Sequence, residues 1–302
     1  MATTMNSEIT KVNLAERNGL ITTLQKFAKN RAAFVGLVII MIFLGISIFA
    51  PEIAPYKAEA QVIKDRLHPP SAQYIMGTDK LGRDIFSRVI MAFQVSMPIG
   101  FLSMALSMIV GVSVGLISGF YGGVIDNVLM RITDLFLSFP TFFLLITIAA
   151  LFGAKMSTII IMLGITSWGS TARIMRGVVL SIREMEYIEA TRALGASNAR
   201  IILRHILNNT LSVISVTATL MVAYAILVES GLSYLGLGVQ PPTPSWGNMM
   251  SDGRDILRNA WWASLFPGFA LMLVVISFNL LGEGLKDFFD PTRRNRGSMK
   301  QK

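Results

Sequence analysis

The chain has 302 residues, 53% of them apolar and 15% charged, with a mean hydropathy of +0.58 and a formal net charge of +9. Soluble domains average about 25% charged residues, so these figures exclude an ordinary water-soluble enzyme of this size. With no cysteine and two histidines, His68 and His205, a disulfide framework, a thiolate metal site and a zinc cage are excluded too.

Asp, Glu, Lys and Arg are clumped, and six stretches of 17 residues or more contain none of them. A helix needs roughly 20 apolar residues to cross a bilayer core, and in lipid its backbone groups must be satisfied internally. The fold class is therefore all-α membrane protein, with six transmembrane helices at about 32–51, 95–119, 135–154, 156–172, 208–228 and 260–282. Basic residues set the orientation. The segments that are inner if the N-terminus is cytoplasmic carry 18 Lys and Arg, and the outer ones 9, which predicts N-in and C-in.

In chain order, residues 1–31 form a cytoplasmic tail in which Leu20, Leu24 and Phe27 share a helical face, flanked by Lys26, Lys29 and Arg31. That pattern predicts an interfacial helix on anionic lipid. The six-helix membrane domain spans 32–292, and its first apolar run lacks the cleavage site of a leader. Before span two, Gly77, Thr78, Asp79, Gly82, Arg83 and Asp84 form a polar outer-face motif. Thr78 or Asp79 is expected to cap a short helix, with Asp79 and Arg83 as an i,i+4 ion pair. The motif superficially matches a phosphate loop, but it lacks the required Lys and Ser/Thr.

Span two carries Gly111, Gly115 and Gly119, a small-residue row suited to close helix packing. Pro140 and Pro267 are expected to bend spans three and six. Polar groups at depth, among them Ser167, Tyr224 and Asn279, are candidates for a translocation path, as is Glu229 at the end of span five. For any single one of the neutral groups, an interhelical hydrogen bond is the competing reading. Glu229 at the interface would instead be satisfied by solvent.

The cytoplasmic segment 173–207 is the most informative. Arg183 to Leu194 uses good helix formers, Gly195 suits the left-handed residue past a helix end, and Ser197 can cap a second helix. The apolar residues Ile188, Ala193, Leu194, Ile201 and Ile202 are expected to need cover from a protein partner. A basic tail, 293–302, ends the chain.

Glu189-Ala190-Thr191-x3-Gly195, with Leu207 beyond, resembles the EAA loop of ABC importer permeases. The departures are Thr191 in place of a second Ala, and Asn208 in place of Pro. Three flanking motifs extend the resemblance: Met76 to Arg88; Glu229 to Gly238 with Pro241-Pro242 and Ser245-Trp246-Gly247; and Gly282 to Asp287 with Asp290-Pro291. Together, over about residues 25–292, they resemble the C-type subunit of the dipeptide/oligopeptide/nickel branch.

The resemblance implies a non-catalytic permease subunit of an ATP-driven peptide importer in the bacterial cytoplasmic membrane. Its cytoplasmic EAA-type coupling loop, between helices four and five, would place Tyr187, Ile188, Glu189, Ala190, Arg192 and Gly195 against an ATPase. The implied partners are a second permease, two ATPase subunits, an extracytoplasmic solute-binding protein and the bilayer, with no nucleic acid, cofactor or metal. Nickel or glutathione transport in the same branch is the alternative, and a secondary transporter a weaker one. The lack of Cys and scarcity of His argue against a pore handling bare nickel.

Overall fold

Charge-free apolar runs fold as helices. In the computed structural model, which describes residues 30–153 and 155–289, the described residues contain no strand beyond an isolated bridge between Thr78 and Asp84. The interfacial helix expected around Leu20–Phe27 and the basic tail at 293–302 lie outside the described residues.

In chain order the helices are α1 (Arg31–Ile48), α2 (Ile85–Tyr121), α3 (Gly123–Ser138), α4 (Thr141–Phe152), α5 (Met156–Arg183), α6 (Glu186–Ala193), α7 (Asn198–Tyr234), α8 (Trp246–Arg254) and α9 (Trp262–Phe289). A one-turn helix at Ala50–Ile53 and a 3₁₀ turn at Ile63–Asp65 follow α1. Helices α1, α2, α5, α7 and α9 are each long and apolar enough to cross a membrane. The pair α3 and α4, bent by 79° at its break, makes a sixth span if counted as one.

That pair corrects the expectation of one bent helix over 135–154. Proline disfavours helical conformation in the residue before it, and Phe139 is extended at φ −78° and ψ 132°. A new helix starts at Thr141 and has 12 residues. At 1.5 Å per residue it is about 18 Å long, short of the roughly 30 Å hydrocarbon core. Pro98 and Pro267, by contrast, are absorbed inside α2 and α9.

The α2–α5 seam explains the glycine row. A Cβ on Gly111 would lie 2.7 Å from Thr171 Cβ, one on Gly115 2.5 Å from Met175 Cβ, and one on Gly119 2.8 Å from Val179 Cβ. Both rows step by four residues, so a ridge of α5 fills a groove along α2. Helix α1 packs on α9 in the same manner, with Gly36 against the Ser277 carbonyl and Gly284 against Ala33.

Three cores organise the rest. One, around Phe93, Trp246, Trp262 and Phe278, joins α1, α2, α7, α8 and α9. A second, around Ile99, Leu145, Ile159 and Leu163, joins α2, α4, α5 and α7. The third gathers Leu116, Phe120, Val179, Ile188, Ile201 and Ile206 at the C-terminal end of α2.

Candidate functional site

The segment between α5 and α7 forms a compact projection at the C-terminal end of α2. Helix α6 ends at Ala193, Leu194 follows as its cap, and Gly195 turns the chain at φ +82°. Ser197 accepts a hydrogen bond from the Arg200 N–H, capping α7 as expected. The first turns of α7, Ile201–Ile206, are π-helical, a wide turn that swings Ile201 and Ile206 inward.

This corrects one expectation. Ile188 is 0% exposed and packs in the chain's own core with Ile201, so no partner is needed to cover either. The exposed surface is instead Leu194, 89% accessible, with Tyr187, Glu189, Ala190, Arg192 and Ala193. The two departures from the EAA pattern are satisfied locally. The Thr191 hydroxyl donates to the Tyr187 carbonyl at 2.7 Å, and the Asn208 amide donates to the Arg204 carbonyl at 2.9 Å.

Charged contacts bind this projection to the membrane helices. The Arg192 guanidinium sits 5.9 Å from the centre of the Phe120 ring, and Arg183 donates to the Gly119 carbonyl at 2.9 Å. Arg176 grips Asp126 with two bonds of 2.6 Å, while Ser118 donates to the same carboxylate. Helix α3 is thereby pinned to α2 and α5. Sequence reading missed Asp126 and Arg176, since only the fold brings residues 50 apart together.

The 77–84 motif lies at the opposite, N-terminal end of α2. The expected Asp79–Arg83 ion pair is present, and Asp79 Oδ1 also accepts from the backbone N–H groups of Leu81 and Arg83. The expected short helix is absent, because Gly77 and Gly82 take positive φ of 73° and 71° and turn the chain instead. The capping residue is neither Thr78 nor Asp79. It is Asp84, which accepts from the Ser87 N–H at 2.7 Å at the start of α2.

Thr78 ties two distant segments together. Its hydroxyl donates to the Asp65 carbonyl, and its own carbonyl accepts from Trp262 Nε1 at 3.1 Å. Asp252 of α8 completes the cluster, accepting from Lys80 at 2.8 Å and from Arg83 at 3.0 Å. Burial pushes the Asp252 carboxyl up, but Lys80, Arg83 and Arg88 together hold it below the usual range.

The candidate path residues do not come together as a set. Glu229 is 0% exposed, so it faces neither a path nor solvent. Ser233, Ser96 and Ser230 donate to it at 2.7, 3.3 and 3.4 Å, and Ser233 in turn accepts from the Val239 N–H. Glu229 is a structural anchor between α2, α7 and the 233–239 turn. Asn279 is exposed on α9. Only Ser167 and Tyr224 share a cavity, of about 350 Å³, between α4, α5 and α7. Among the described residues no group of three or more His, Asp or Glu could hold a metal ion.

Comparison with known proteins gives two family matches. A family described as binding-protein-dependent transport system inner membrane component matches residues 111–295, and one described as the N-terminal membrane domain of oligopeptide transport permease C matches residues 21–70. The chain is 42% identical over 271 residues to a dipeptide transport system permease protein of Alkalihalophilus pseudofirmus, covering 90% of this chain and 89% of that one. It is 40% identical over 269 residues to an oligopeptide transport system permease protein of Bacillus subtilis, covering 89% and 88%. A glutathione transport system permease protein of Pectobacterium atrosepticum is 37% identical over 268 residues, covering 88% and 89%.

Proposed function

We propose a role that proceeds from kinship: the chain belongs to the binding-protein-dependent transport system inner membrane components, and it is the C-type permease of a dipeptide or oligopeptide ABC importer. It is a multi-pass protein of the bacterial cytoplasmic membrane. It forms half of a translocation path beside a second permease and performs no covalent chemistry. One of two ATPase subunits docks at the α5–α7 projection on the cytoplasmic side, and a solute-binding protein delivers peptide at the 77–84 and α8 end.

The observation that carries this reading is the projection itself. Helix α6 and the Gly195 turn leave Leu194 fully presented, with Glu189 nearby, while Ile188 roots them in the core of α2, α5 and α7. An apolar knob on a rooted helix suits a partner's pocket, where a buried anchor carries most of the affinity. Motion of α6 is passed to α2 through Ile188 and the Arg192–Phe120 contact, rocking the spans between inward-open and outward-open arrangements.

Leu194→Asp should abolish ATPase association, because it places an unpaired charge in a desolvated pocket. Copurification of the ATPases with the permease pair measures this, together with peptide uptake. Full association and uptake in the variant would overturn the docking assignment.

A further inference from the structure

The cavity between α4, α5 and α7 has a chemistry of its own. Its volume of about 350 Å³ falls at the small end of ligand pockets. The polar residues of its lining all carry hydroxyls, Thr141, Thr166, Ser167, Ser170, Thr171, Thr217 and Tyr224, and none is charged. Arg173, three residues beyond Ser170, is taken up by Asp134 at 2.7 Å.

Hydroxyls on membrane helices ordinarily donate to a carbonyl three or four residues back. Ser170 does so, to Ser167. Thr171 does not. It is 1% exposed, and its Oγ1 has no hydrogen-bond partner. Its Cβ and methyl are pressed on Gly111 of α2, which fixes the side chain in place. A buried polar atom without a partner is costly, but Thr171 Oγ1 is sealed beside the α2–α5 seam, so the hydroxyls open to the cavity are those of its neighbours. The hydroxyls of Thr141, Ser167, Thr217 and Tyr224 line the cavity and make no hydrogen bond among the described residues; Tyr224 is exposed and the other three are half-buried.

We propose that this cavity is a substrate subsite that binds the backbone of a peptide and ignores its side chains and termini. The proposal rests on the peptide-permease reading above. Unpaired hydroxyls both donate and accept, as the N–H and C=O groups of an extended peptide require. With no fixed charge in the wall, a cationic, an anionic and a neutral peptide meet the same partners.

The test uses the assembled complex in proteoliposomes, with Thr141→Val, Ser167→Ala and Thr217→Val, singly and combined. Copurification of all subunits confirms assembly of each variant. Uptake of Ala-Ala, Ala-Lys and Ala-Asp dipeptides should fall by about two- to tenfold per hydroxyl, by the same factor for all three. Thr217→Asp should then break the equality, favouring Ala-Lys over Ala-Asp. Because the chain contains no cysteine, Thr217→Cys gives an independent readout: a hydrophilic maleimide should label it, and peptide should protect it.

Unchanged uptake in the triple variant, or losses that differ between the peptides, overturns the proposal. So does a Thr217→Cys variant that resists the reagent because the second permease packs over that position. A wild-type complex that takes up neither these dipeptides nor longer alanine peptides sinks the peptide-permease reading itself, which is a different result.

Discussion

At Gly195 the backbone turns with φ +82°, and no atom lies within 4 Å of where a Cβ would sit. Any penalty for a side chain there is therefore conformational and not steric, about 1–3 kcal/mol for a residue forced into that region. Gly195→Val should reach the membrane at normal levels but lose most peptide uptake and ATPase copurification. Gly195→Asn should retain both, because Asn tolerates the left-handed region. Immunoblots of membranes and uptake assays check this, and normal uptake in the valine variant would show that the turn tolerates a different geometry. Gly195 is readable from sequence because it follows a run of helix formers. Ile188 is not, since counting apolar residues cannot reveal that a π-helical turn swings Ile201 and Ile206 over it. Glu229 is equally hidden, because the Ser96 that closes its cage lies 133 residues earlier.

Helix elements follow the same logic at a larger spacing. The Gly111, Gly115 and Gly119 row announces a close packing seam, and the fold supplies its partner row, Thr171, Met175 and Val179 on α5. At Gly115 the Cβ-to-Cβ approach would be 2.5 Å, with the Ala172 carbonyl at 2.7 Å, so a larger residue must separate two long helices. Gly115→Leu should cost about 1–3 kcal/mol or more from overpacking. Gly177 on α5 has nothing within 4 Å, so Gly177→Ala should be neutral or stabilising by up to about 1 kcal/mol from helix propensity. Thermal unfolding midpoints of the two variants in detergent check the contrast, and equal midpoints would refute the seam. Proline positions are only half informative. Pro140 ends one helix and starts another, whereas Pro98 and Pro267 stay within theirs. The ring removes a backbone donor in every case, but only at Pro140 does the helix break.

Across the whole molecule, α2 joins two differently built ends. Its C-terminal end roots the α6 projection in an apolar core, and its N-terminal end is held by charge. Asp79, Lys80, Arg83 and Asp252 draw the loop before α2 and helix α8 into one cluster, while Trp262 brings in the start of α9. Such a cluster keeps the loop before α2, helix α8 and the start of α9 in register with one another. It also makes this end sensitive to acid. The folded-state carboxyl of Asp252 is held below its usual range, so its contribution is fully present above the unfolded value of about 3.9 and is lost as pH falls through the lower folded value. Asp252→Asn removes charge-assisted bonds to Lys80 and Arg83, and should cost about 1.5–3 kcal/mol at neutral pH. The gap between wild type and variant should hold constant from pH 7 to about 5, then narrow below about 3.9, because the wild type loses the same charge on protonation. Taking the difference between the two melting curves cancels every other titrating group they share. A gap that stays constant into strong acid would show that Asp252 does not hold the N-terminal end of α2 through its charge.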